Sequence, residues 1–145
     1  MVSRLLEGGA SVDLSDDGGY TALCAAAQDG NVAVVSILLE EGGASIDLAS
    51  DNGCTPLWVA AHTGHAAVVS RLLEQASVDL SDDAGHAALF AAAHNGHAAV
   101  VSILLEEGGA TIDLASKAGV TPLFTAERMG HQAVAARLRE AMAQQ

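Results

Sequence analysis

Six histidines and two cysteines are the residues of this chain best equipped for chemistry, and their spacing sorts the histidines into two groups. His65, His97 and His131 each follow a glycine (Gly64, Gly96, Gly130) that ends an Ala-rich segment. A ring that returns at the same place in three successive units serves the scaffold, so these three are expected to bond loop backbone. His62, His86 and His94 instead fall where the copies differ. Together with Cys54 they hold the nitrogen and sulfur ligands that Zn²⁺ prefers, and convergence across neighbouring units would make a metal site. Their spacing matches no compact zinc signature, so ordinary contact residues are the competing reading, and no metal or other cofactor is assigned. Patterns for catalysis are missing: there is no nucleophile elbow and no phosphate-cradling glycine loop after a strand. Gly42-Gly43 and Gly108-Gly109 belong to turns between units. The chain reads as non-enzymatic.

One repeated unit positions these side chains. Val34 to Ala44 recurs letter for letter at Val100 to Ala110, with weaker copies at Met1 to Ala10 and Val68 to Ala76. Self-similarity at fixed spacing marks a supersecondary element that cannot bury its apolar face alone and must stack on its neighbours. In one such unit Thr55 can cap a helix with its hydroxyl, and Pro56 sits at the first helical position, where its missing N–H costs nothing. Leu57, Ala60 and Ala61 then make the apolar face of a short helix that Gly64 can end in the left-handed conformation. A second helix is expected from about His65 to Glu74, with Val68, Val69, Leu72 and Leu73 as its buried stripe. Segments such as Gly42 to Leu48 and Ser50 to Gly53 carry turn residues around a brief apolar alternation, which suits a β-hairpin between repeats. A two-repeat spacing of 66 residues, from Leu23 to Leu89, shows that two repeat types alternate. Between the second and third full repeats, Glu74-Gln75-Ala76 lacks the glycine pair and Ala87-Ala88 replaces the Thr-Pro start, which predicts the weakest joint there.

The motif reads Thr21-Ala22-Leu23, Thr55-Pro56-Leu57, Ala87-Ala88-Leu89 and Thr121-Pro122-Leu123, with spacings of 34, 32 and 34 residues between the leucines. Each is followed by an Ala-containing segment and then by Gly30, Gly64, Gly96 or Gly130. In this the chain closely resembles the ankyrin repeat family, whose period is about 33, over essentially all of its length. The His that usually follows the leucine is replaced by Cys24, Trp58, Phe90 and Phe124, a change from a polar contact to apolar filling.

The resemblance implies an all-α repeat solenoid of stacked helix-turn-helix units with short β-hairpin or loop fingers, in one domain. Its parts would be a truncated first repeat at 1–15, internal repeats at 16–49, 50–81 and 82–115, and a C-terminal capping repeat at 116–145. It also implies a scaffold that binds a partner protein on a concave face made of hairpin tips and first helices. Carried onto this sequence, the variable positions of that face are Asp17, Tyr20, Gln28 and Asp29; then Asp51, Asn52, Cys54, His62 and Thr63. The last two repeats supply Asp83, His86, His94 and Asn95, and then Lys117, Val120, Arg128 and Met129. A structural spacer within a larger protein is the alternative, with a metal-binding module behind it.

Composition bounds the partner. Net charge is −12, but residues 1 to 115 hold 16 acidic and 2 basic side chains, whereas residues 116 to 145 hold 2 acidic and 4 basic. Such a field repels phosphate backbones and attracts a basic protein surface, so nucleic acid is excluded and a basic partner favoured. Only 3% of residues are aromatic, which leaves Ala, Val, Leu and Ile to build the core. No apolar run approaches the ~20 residues that span a bilayer, so no membrane partner is expected. Cys24 in a buried motif position and Cys54 at a hairpin read as free thiols of a reducing, cytoplasmic setting. Met1 to Glu7 corresponds to Val68 to Glu74, so the chain opens on a second helix without its first, as a piece of a longer array would. Val2, Leu5 and Leu6 would then lack part of their packing, which predicts weak self-association or fraying. At the other end Ala135, Arg137 and Arg139 suit the polar outer face of a terminal repeat.

Overall fold

A computed structural model describes residues 13–144, and the expectations about the first repeat's helix fall outside them. The first helices of successive repeats are α1 (Ala22–Asp29), α3 (Pro56–Thr63), α5 (Ala88–Asn95) and α7 (Pro122–Arg128). Their second helices are α2 (Val32–Glu40), α4 (Ala66–Leu73), α6 (Ala98–Glu106) and α8 (Gln132–Ala143). Each first helix packs on its own second helix and on the first helices beside it, so α1, α3, α5 and α7 form one layer and α2, α4, α6 and α8 the other.

The starts of the first helices follow from their side chains. Thr21, Thr55 and Thr121 accept from the backbone N–H groups of Cys24, Trp58 and Phe124 at 3.3, 3.1 and 3.2 Å. Ala87, at the same place before α5, has no side chain to do this. Helices α1, α3 and α5 end on left-handed Gly30, Gly64 and Gly96. Leu23, Leu57 and Leu89 point into the core with Val68, Val69, Leu72, Val100, Val101, Leu104 and Leu138, each at most 2% exposed. Each such side chain contributes roughly 1.5–3 kcal/mol of burial. Ala26, Ala27, Ala60, Ala61, Ala92 and Ala93 are buried too. Their single methyl groups let the two helical layers approach closely.

The expected hairpins are reduced to finger loops. Among the described residues the only β pairings are isolated bridges between Ser15 and Thr21 and between Ser81 and Ala87. The Gly42 to Leu48 segment forms turns instead of a strand. Its apolar alternation is too brief to zip up, and its polar groups are used between repeats. Asp13 accepts from the N–H and hydroxyl of Ser45, Asp47 from the N–H of Ser77, and Asp79 from the N–H and hydroxyl of Thr111. Each finger closes on itself by a backbone bond, as from Asp82 N–H to the His86 carbonyl, and neighbouring fingers are joined by another, as from Asp83 N–H back to the Asn52 carbonyl. In alternate repeats the closing acceptor is an Asp (Asp16, Asp82) or a Ser (Ser50, Ser116), which is the two-repeat period in structural form.

Arg137 departs from its expected place on a polar outer face. Its side chain is only 18% exposed and crosses back to the previous repeat, donating to the Ser102 hydroxyl at 3.1 Å and pairing with Glu106 at 3.0 Å. Arg71 repeats this one duplication earlier, with Ser36 at 3.1 Å and Glu40 at 3.1 Å. Ala135 is likewise buried, whereas Arg139 is exposed and pairs with Glu127.

Candidate binding groove

The three histidines that recur after Gly64, Gly96 and Gly130 bond backbone, as their position predicts. His65, His97 and His131 donate from Nε2 to the carbonyls of Gln28, His62 and His94 at 2.9, 3.0 and 2.9 Å. Each acceptor lies at the end of the preceding repeat's first helix, where carbonyls lack intrahelical partners. The floor beneath the variable positions is thereby held from the next repeat.

On that floor the residues replacing the motif His do not all fill the core. Cys24 and Phe90 are buried, but Trp58 is half-buried and Phe124 is 53% exposed. Trp58 stacks on His62 with ring centroids 4.8 Å apart, one turn along α3. Phe90 lies between two imidazoles, His86 at 4.1 Å and His94 at 6.0 Å. The indole N–H of Trp58 donates to the His86 carbonyl at 3.0 Å, tying helix α3 to the next finger. These rings, with Val120, Phe124, Arg128 and Met129, line a half-open cavity of about 440 Å³. A second cavity of about 520 Å³ sits elsewhere, around Gly130 and Ala136 on the last repeat. A third, of about 460 Å³, is lined by Tyr20, Gln28, Asn52, Cys54, Thr63 and Asp82, and shares Trp58 and His62 with the first. The first and third cavities adjoin at Trp58 and His62, side by side along the first helices. Trp58, Phe90 and Phe124 as groove walls are what the sequence reading missed; three aromatics at one register in consecutive repeats were the available signal.

The candidate metal ligands do not come together. Among the described residues no group of three or more His, Cys, Asp or Glu side chains is placed to hold an ion. Cys54 is 7% exposed, and burial raises its thiol pKa. That removes it as a hairpin ligand, while it keeps a place in the lining of the third cavity. The Nδ1 atoms of the three histidines are each engaged elsewhere: His62 with the Asn95 amide at 2.9 Å, His94 with the Thr125 hydroxyl at 2.8 Å, and His86 with Asp82 at 3.4 Å. Partial burial pushes the His62 pKa below its ordinary value, and His97 and His94 nearby push the same way. The Thr63 hydroxyl donates back to the Val59 carbonyl.

Of the remaining expected contacts, Asp17, Gln28, Asp29, Asp51, Asn52, Asp83, Lys117, Arg128 and Met129 are exposed, and Tyr20 and Val120 partly so. Burial raises the Tyr20 pKa, with Cys54 and Cys24 adding to it. No helix among the described residues is long and apolar enough to cross a membrane. No curated protein matches the chain. The family model described as ankyrin repeats (3 copies) matches residues 1–82 and 67–144, in agreement with the stacked helix pairs and their fingers, and the chain belongs to the ankyrin repeat family.

Proposed function

We propose that this chain is a non-catalytic docking module that holds a partner protein in the groove between its first helices and its fingers, inside the cell. Ankyrin repeats are generally protein–protein interaction modules. The observation that carries the finer reading is that two cavities adjoin at Trp58 and His62, both lined where the repeats differ. Large aromatic surface half-open to solvent is what interfaces use as anchors. The exposed carboxylates of Asp17, Asp29, Asp51 and Asp83 make no hydrogen bond among the described residues, unlike those of Asp13, Asp47 and Asp79. They set an attractive field for a partner with a basic surface.

Cross-linked affinity purification from the source cell tests this, with the parent chain beside Phe124→Ala and a back-face variant, Ala133→Glu. A partner retained by the parent and by Ala133→Glu but lost with Phe124→Ala supports the groove. Retention that depends on Ala133 instead would assign recognition to the second helices. Capture of nothing but segments of the same parent protein would support a spacer array.

A further inference from the structure

We propose that the groove takes an extended partner segment that places a bulky apolar side chain among Trp58, Phe90, Phe124 and Met129 and a neighbouring carboxylate against Arg128; this rests on the docking reading above. The cavity's size falls within the ~300–1,000 Å³ in which ligand pockets lie, and its walls are mostly carbon. Phe124 and Met129 stand 53% and 48% exposed at its edge, apolar surface that an entering side chain would cover.

Charge chooses the neighbour of that side chain. Arg71, Arg137 and Arg139 are each paired with a glutamate. Arg128 is exposed at the cavity edge and makes no ion pair among the described residues. Its sequence neighbour Glu127 is engaged by Arg139, so no carboxylate from its own turn of helix neutralises it. Lys117, on the finger beside Val120, adds a second cation without an ion pair among the described residues. A guanidinium beside an apolar wall recognises a carboxylate in a fork geometry that a neutral group does not match. The cavity therefore selects an acidic neighbour although the chain as a whole is strongly acidic.

An extended occupant, and not a compact small molecule, is argued from the third cavity, which adjoins the first at Trp58 and His62. There the lining changes to Tyr20, Gln28, Asn52 and Asp82, and the free carboxylates of Asp17, Asp51 and Asp83 lie on the fingers. A segment lying along the groove thus meets a basic, apolar end and an acidic, polar end. Its own charges should run oppositely, from acidic beside the anchor to basic further along.

The test is selection of a displayed library of random dodecapeptides on the full chain, followed by anisotropy titration of the most enriched peptide. The expected outcome is enrichment of a bulky apolar residue with Asp or Glu beside it. Phe124→Ala should weaken that peptide about tenfold, as truncating an interface anchor does. Arg128→Glu should turn the preference at the neighbouring position from acidic to basic. Both residues are exposed, so neither change endangers the fold. Enrichment without the acidic neighbour, no enrichment at all, or an unchanged preference with Arg128→Glu overturns the proposal. If peptides lacking the acid are still weakened by Phe124→Ala, docking in the groove stands and only the partner chemistry fails. Peptides indifferent to every groove variant would remove both.

Discussion

The imidazole of His97 occupies the space into which Gly64 would project a side chain. A Cβ on Gly64 would stand 2.6 Å from its Nδ1, and its Nε2 donates at 3.0 Å to the carbonyl of His62, two residues before Gly64. One ring thus closes the end of α3 from the next repeat, and the pair Gly30–His65 and the pair Gly96–His131 do the same with 2.6 Å approaches.

Gly64→Ala is expected to cost about 2–4 kcal/mol, from left-handed strain at φ +85° and from displacing the ring. Gly130 is the matched control, since it has φ +76° and nothing within 4 Å. Gly130→Ala should cost only the strain, about 1–2 kcal/mol. Urea unfolding of both variants, with and without His97→Ala, separates the parts. Equal costs at the two glycines, or an excess at Gly64 that survives His97→Ala, would show that the ring is not the obstacle.

Arg71 ties two repeats through a bond to Ser36 and a pair with Glu40, and the two contacts should not weigh equally. Glu40 is 68% exposed, so its pairing is solvent-screened and worth well under about 1 kcal/mol. The Arg71 side chain is 16% exposed, and truncating it removes packed stem and the Ser36 bond together. Arg71→Ala should therefore lower stability by about 1–2 kcal/mol, while Glu40→Gln stays within about 0.5. High salt should leave the Arg71→Ala deficit nearly unchanged, and a deficit abolished by salt would contradict the packing argument.

What could be read from the sequence was whatever a single repeat determines or every repeat restates. Thr55 caps α3 because the cap lies next to the helix it serves, and Leu57, Val68 and Leu72 are core because helical spacing puts them there. His65, His97 and His131 were legible because they recur. Contacts that depend on how far one repeat is offset from the next were not legible. Asp47 reaching the Ser77 N–H, Arg137 reaching Ser102, and Asn95 holding His62 all belong to that class. The same offset decides that Cys54 turns inward while Phe124 stays open, although both occupy places that the repeat pattern marks as variable or motif positions.

The depressed pKa of His62 makes stability depend on pH in a definite direction. Below its ordinary value of 6.5 the unfolded chain takes up a proton that native His62 refuses, so stability falls as pH drops through that value. The slope ends below the native pKa, where both states are protonated. The bond from the Asn95 amide to Nδ1 agrees in sign, because it uses the lone pair that protonation would need. The parent should therefore lose more stability than His62→Gln between about pH 7 and pH 5, the range in which an imidazole titrates. Partner affinity should not gain from His62 charging near pH 6. A parent and variant with parallel stability curves would mean that His62 titrates alike in both states.

Helix α5 carries Phe90 and His94 into the groove yet begins on Ala87, without the hydroxyl that starts α1, α3 and α7. Ala87 is 5% exposed, and Thr21 and Thr55 occupy the same register in their own repeats at 4% each. Ala87→Thr should stabilise the chain by about 0.5–2 kcal/mol through a bond to the backbone N–H of Phe90. Thr55→Ala should cost a similar amount, which makes the pair a calibrated exchange between equivalent sites. Thermal unfolding gives the sign, and hydrogen exchange at Phe90 and Ala91 locates the effect. Gain without slower exchange at the start of α5 would place the benefit elsewhere. Slower exchange there, with partner binding tightened through slower dissociation, would show that fraying of α5 limits how long the wall of the groove stays formed.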